Sequence, residues 1–198
     1  MILTRDDLWS LEQFAEKRPE FRKKVIEHKK FRQLDLGENA RLIFEDEMTI
    51  RYQIQEMLRI EKVFDAGGIQ EELDAYNPLI PDGNNWKATF MLQYEDPVVR
   101  AEKTRELVGI EKKIWVMVDG FEKVFPIANE DLDRDDGEKT STVHFLRFEF
   151  SSPEISALFH GERIQTGIDH TAYTISGVEI CGTVRESLVS DLVLPAMH

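Results

Sequence analysis

An α+β fold, with a mixed, largely antiparallel sheet packed against several helices, is what this 198-residue sequence predicts. Three observations carry the prediction. Short runs alternate apolar and polar residues, as in Ile114, Val116 and Val118, which is the period of a half-buried strand. Several such runs are joined by turns too short to hold a crossover helix, at Gly37-Glu38-Asn39 and Asp119-Gly120, so their neighbours must pair antiparallel. Between them lie longer segments with helical spacing and recognisable caps.

The elements follow in order. Thr4 is a good N-cap with Asp7 three residues on, and Leu8, Leu11 and Ala15 continue at helical spacing. Arg18-Pro19 predicts a break, with Pro19 opening a second helix that runs to about Lys30. Leu34 and Leu36, the Gly37 turn, and Leu42-Ile43-Phe44 read as a hairpin. Asp46 caps a long central helix near 47–64, closed by Gly67-Gly68. A short helix at Ile69–Tyr76 stops at Asn77-Pro78.

The stretch Asn77–Trp86, with Pro78, Pro81, Asp82-Gly83 and Asn84-Asn85, reads as a loop. A strand is expected at Lys87–Tyr94, and Asp96-Pro97 opens a helix closed by Gly109. Strands follow at Lys113–Val118 and Glu122–Pro126. Asn129–Lys139 is the most charged stretch and reads as an exposed acidic loop. Thr142–Phe150 is a strong strand, and period two puts His144, Leu146, Phe148 and Phe150 on one face. Ser152-Pro153 starts a helix ended by Gly161, and a weaker strand region spans Arg163–Ile180. The capping box Thr183–Glu186 opens a last helix near Val184–Leu194.

The chain is expected to form one α+β domain over residues 1–198, with the helical segment 4–30 as a candidate appendage. Composition supports a packed core: 41% of residues are hydrophobic, with 12 Phe and 3 Trp. The formal charge of −13 and pI near 4.9 oppose duplex nucleic acid and anionic membranes. The basic cluster Arg22, Lys23, Lys24, Lys29, Lys30 and Arg32 reads as a solvated helix face, and His28 within it as exposed. The lone Cys181 permits neither an intramolecular disulfide nor a Cys-based iron–sulfur or zinc site, and it suits a cytoplasmic setting. No signal peptide or apolar run of membrane-spanning length is legible, so membrane insertion is not expected. The cofactor is otherwise undefined.

On the long helix, Arg51, Gln55, Arg59 and Lys62 project as a polar wedge, while Gln53 and Glu56 fall within the apolar arc. A carboxylate buried there is a raised-pKa acid, a metal ligand or half of an ion pair. Glu56 and His144 are therefore the catalytic candidates, and Glu56, His144 and His170 the candidate metal ligands. Arg51 and Gln53 are candidates for orienting a ligand. Asn84, Asn85 and Trp86 are candidates for lining a pocket mouth. The phosphate-binding glycine loops, the Gly-x-Ser-x-Gly elbow and helical His-x-x-x-His spacing do not occur.

Three phrases resemble a known family: Arg51-Tyr52-Gln53-Ile54-Gln55-Glu56-Met57-Leu58-Arg59, Glu71 through Pro81, and Val143-His144-Phe145-Leu146-Arg147-Phe148. They are similar to the bacterial domain of unknown function 3501 family, and the resemblance covers nearly the whole chain. It supplies no catalytic residues. It implies partners among rubrerythrin-like proteins and iron–sulfur oxidoreductases, and a place beside peroxide or redox chemistry. The leading expectation is a non-catalytic accessory or small-ligand-binding protein that docks through its acidic surface, foremost Asn129–Lys139. The alternatives are a metal-dependent or general acid/base enzyme built on Glu56 and His144, and a homodimeric scaffold.

Overall fold

The computed structural model describes residues 2–130 and 137–195. Its helices are α1 (Leu11–Lys29), α2 (Glu47–Glu61), α3 (Ala66–Tyr76), α4 (Pro97–Glu106), α5 (Ser152–Phe159) and α6 (Gly182–Val189). Its strands are β1 (Gln33–Asp35), β2 (Ala40–Phe44), β3 (Asn85–Leu92), β4 (Ile114–Val118), β5 (Ile127–Ala128), β6 (Val143–Glu149), β7 (Ile164–His170) and β8 (Tyr173–Ile180). Two antiparallel sheets result, one in the order β1-β2-β3-β6-β5 and one in the order β4-β7-β8. The α+β prediction holds.

Alternation explains the larger sheet. Along β3, Trp86, Ala88, Phe90 and Leu92 are buried, and along β6, His144, Leu146 and Phe148 are buried. Their neighbours Lys87, Thr89, Phe145 and Arg147 are half-buried on the other face. The inner face joins Ile114, Val116 and Val118 of β4 and Ile164 and Ile168 of β7 in one core. That face is closed at one end by α5 and α6 through Leu158 and Leu188. Within the second sheet the strands crowd together at Gly167, where an added Cβ would meet the Ile175 carbonyl and the Trp115 ring, each at 2.4 Å. Only glycine fits there, beside the irregularity in the β7–β8 ladder.

A smaller core lies among the helices. Ile50, Ile54 and Leu58 recur every four residues on α2 and bury against Leu3, Leu73 and Ile80. Gln55 is fully buried, against the expected polar wedge. Its amide pairs with both backbone groups of one residue, accepting from Trp9 N at 2.8 Å and donating to Trp9 O at 3.2 Å. The apolar arc is also narrower than projected, since Ile60 and Phe64 are exposed.

Several local expectations are corrected. Thr4 caps only a 3-10 turn at Arg5–Asp7, and α1 begins at the Ser10–Gln13 capping box. It runs without a break through Pro19. Proline in a helix interior removes one hydrogen bond, but Phe14 and Val25 on either side of it are buried, so packing outweighs the local loss. Lys62 ends α2 in the left-handed region, and Asp65 caps α3 by accepting from Gly67 N and Gly68 N. The glycine pair thus opens a helix instead of closing one. Glu122–Pro126 contributes an isolated bridge from Val124 to Val116 instead of a strand, with β5 just beyond it. The weak strand region resolves into the long β7–β8 hairpin. No helix among the described residues is long and apolar enough to cross a membrane.

Candidate functional site

Glu56 sits in an ion-pair cluster. Its carboxylate accepts from Arg18 Nε at 2.7 Å, from Arg59 Nε at 2.9 Å, and from the Tyr52 hydroxyl. Burial pushes its pKa up, but the bonds from Tyr52, Arg18 and Arg59 outweigh that and hold it below the usual carboxylate range. The raised-pKa acid is therefore corrected to an ionised structural carboxylate.

His144 is fully buried on the inner sheet face. Its Nε2 meets Thr140 Oγ1 at 2.8 Å and Ser141 O at 3.0 Å, and its Nδ1 faces the Asn129 amide. His170 lies on the other sheet, at the end of β7. Its Nδ1 accepts from Ala172 N, so Nε2 carries the hydrogen donated to Val108 O at 3.2 Å. Glu56, His144 and His170 are not brought together, and no group of three or more metal-ligating side chains forms among the described residues.

Asn85 and Trp86 belong to β3, not to a loop mouth. Asn85 is fully buried and bonds Asp82 and Glu149 at 2.7 and 3.0 Å. Trp86 is fully buried, with its indole N–H on Leu188 O at 2.8 Å. Asn84 is exposed beside them, and Gln53 is half-buried on α2. The pocket-mouth expectation fails because β3 begins two residues earlier than the loop signals indicate. Of the expected acidic docking stretch, residues 131–136 lie outside the described residues.

Arg51 has the setting of a binding residue. Its guanidinium carbon lies 4.5 Å from the Trp9 ring centre and 5.9 Å from that of Phe21. Its Nε is buried with no hydrogen-bond partner. It lines a cavity of about 490 Å³ shared with Phe21, His28, Asp46, Ile80 and Asp191. The cavity thus joins α1, the start of α2 and the turn after α6.

The far wall is a fixed charge network. Arg32 is 1% exposed, although the sequence pattern places it on a solvated face. Its Nε donates to Phe44 O at 3.0 Å, Nη1 to Ser187 Oγ at 3.0 Å, and Nη2 to Glu45 O at 3.1 Å and to Asp191. Asp46 lies 3.3 Å from Arg32 Nε and 2.5 Å from His28 Nε2, so His28 is tied into the same wall. Asp46 also caps α2 through Thr49 N at 2.9 Å. Burial raises the Asp191 carboxyl, with Asp46 repulsion adding to it, against the hydrogen bond from Arg32.

Arg51, which lines the cavity, and Arg32, buried behind its wall, therefore differ in kind. Arg32 is saturated, so it sets the geometry of the wall. Arg51 packs against Trp9 and Phe21, whose rings touch each other edge to face 5.1 Å apart, and it lacks an acceptor on Nε. Sequence reasoning found Arg51 but missed His28, Arg32 and Asp191. The Arg32–Asp191 contact spans 159 positions, and no local periodicity can report it.

A family model described as a protein of unknown function (DUF3501) matches residues 2–192. No curated relative matches. The chain is similar to a protein whose crystal structure at 1.90 Å is described as that of a novel protein of unknown function from Burkholderia pseudomallei K96243. The two are 50% identical over 98% of this chain and 100% of that one, with a TM-score of 0.93.

Proposed function

We propose that this chain, which belongs to the DUF3501 family, is a small-ligand-binding protein whose ligand carries a compact anionic group, such as a carboxylate or phosphate, held by Arg51. The carrying observation is the aromatic packing of a guanidinium that lines a cavity and leaves a donor unmet. A buried donor without an acceptor costs about 1–3 kcal/mol. Charge-assisted bonds from a planar fork to an anion are among the strong polar contacts. Packing the fork against the two rings before the ligand arrives reduces the ordering cost of binding. Asp46 and Asp191 do not compete for Arg51, because Arg32 and His28 engage them.

Calorimetry with acetate, glutamate and inorganic phosphate tests the reading, on the wild-type chain and on Arg51→Met. The expected result is saturable binding of one of these anions by the wild type and its loss in a variant with an unchanged circular dichroism spectrum. Equal binding by both proteins, or no binding of any of the three, overturns it.

The partners implied by the family resemblance, rubrerythrin-like proteins and iron–sulfur oxidoreductases, form the proposed setting of this role. The formal charge of −13 favours docking onto a basic partner, and such an association weakens steeply with salt. A pull-down at low and high ionic strength tests it, and an interaction unchanged by salt speaks against docking through the acidic surface.

A further inference from the structure

A second cavity, of about 690 Å³, lies between the outer face of the larger sheet and helices α2 and α3. Met57, Tyr76, Leu79 and Phe145 supply apolar surface, and Lys87, Arg147, Glu72, Asp74 and Glu130 supply charge. All three family-resembling phrases contribute to its lining: Met57 from the first, Glu72 through Leu79 from the second, and Phe145 through Arg147 from the third.

Lys87 and Arg147 stand directly opposite each other in the β3–β6 ladder. Like charges in that position repel, yet among the described residues only Arg147 is neutralised by contact. Glu130 grips Arg147 at both Nε and Nη2, at 2.7 and 2.6 Å, and Glu149 takes Nη1. Glu149 also accepts from Asn85, as does Asp82. The carboxylates around Lys87 are thus engaged elsewhere, and the charges of Asp82, Glu130 and Glu149 reach it only through space.

We propose that Lys87 is a nucleophilic amine that forms an imine with a small carbonyl compound, an aldehyde or a 2-oxo acid, admitted to this cavity. The site is distinct from the Arg51 cavity and stands or falls separately. Burial first, then the facing Arg147 cation, holds the Lys87 ammonium below the ordinary lysine range. The free amine is the nucleophile. Its lone pair forms the new C–N bond as the carbonyl π pair moves to oxygen, and one proton passes from the nitrogen to that oxygen. The resulting carbinolamine gives up its hydroxyl as water and leaves a protonated imine, with no change in oxidation state. Glu72 lines the same cavity, and burial with the neighbouring Glu61 and Glu71 raises its pKa. That suits it to deliver the proton on which water departs.

The test is reductive trapping on the full chain near neutral pH, with glyoxylate as the probe and cyanoborohydride as the reductant, followed by peptide mapping. Each unit by which a lysine pKa falls raises its free-amine fraction about tenfold. Lys103, ion-paired to Glu106 at 2.7 Å with its pKa raised by that bond, is the internal reference. The reduced adduct is expected to form faster on Lys87 than on Lys103, because the two shifts run in opposite directions. It should form more slowly in Glu72→Gln. Labelling of Lys87 at or below the Lys103 rate overturns the proposal without need of a variant. An unchanged rate in Glu72→Gln removes Glu72 from it.

Discussion

The two faces of the larger sheet put the same backbone to different uses. Toward the smaller sheet, β3 and β6 present Trp86, Ala88, Phe90, Leu146 and Phe148, all at most 2% exposed, with His144 as the polar residue whose two nitrogens both have partners. Toward the helices the same strands present Lys87, Thr89, Phe145 and Arg147, half-buried and beside a cavity. The dry face gains stability from apolar burial and leaves nothing for a ligand to add. The helical side carries the charged groups, and these divide further. Arg32 and Glu56 are saturated, whereas Arg51 Nε and one oxygen of the buried Glu45 lack partners. Satisfied charges hold the wall, and binding capacity lies with those left short.

Four substitutions would break or sharpen that contrast. The dry face should fail hardest: Trp86→Ala removes a fully buried indole and should cost about 3–5 kcal/mol in urea unfolding. A cost under about 1 kcal/mol, the range of ordinary surface changes, would erase the distinction between the faces.

Arg32→Met should follow closely, at up to about 3–5 kcal/mol near neutral pH, because it strands the buried Asp191 carboxylate. Asp191 already titrates above its ordinary value of 3.8. Stability from its neutral form is present at low pH and lost as pH rises through the folded value, so the defect should shrink on acidification. A defect independent of pH would show that Arg32 acts through packing alone.

Glu56→Gln should cost about 1–3 kcal/mol at neutral pH, the worth of hydrogen bonds to a charged group. Its folded pKa is depressed from an ordinary 4.5. Its contribution is therefore present above that value and lost as pH falls through the lower folded one. Wild type and variant should converge in acid, and parallel pH profiles would refute the ion-pair assignment. Arg51→Met should do least to the free protein, because the lost ring contacts, about 0.5–1 kcal/mol, are offset by removal of the unmet Nε donor. A much larger loss would move Arg51 to the structural group.

Much of the architecture was legible because its signals are local. Alternation on β6 placed His144 and Phe148 inward, and Asp46 and Asp96 marked the starts of α2 and α4 as side-chain caps. Pro19 misled because its penalty is local while the burial of Phe14 and Val25 is tertiary. The Gly67-Gly68 pair is ambiguous in a sequence, since glycine suits either end of a helix, and the Asp65 carboxylate decides the matter. At the candidate site, Arg51 was recognisable as a cation on a packed helix. Its aromatic packing was not, because Trp9 and Phe21 come from the preceding segment and α1. His28 and Arg32 looked like parts of a solvated basic run until Asp46 and Asp191 converged on them.

The His144 imidazole couples two segments that lie apart in the chain. One ring nitrogen holds Asn129 and the other holds Thr140 and the Ser141 carbonyl, so a single side chain pins both ends of the stretch between them. Replacing the ring by alanine should therefore loosen Asn129 and Thr140 together, so one core position governs two segments that the chain itself leaves apart.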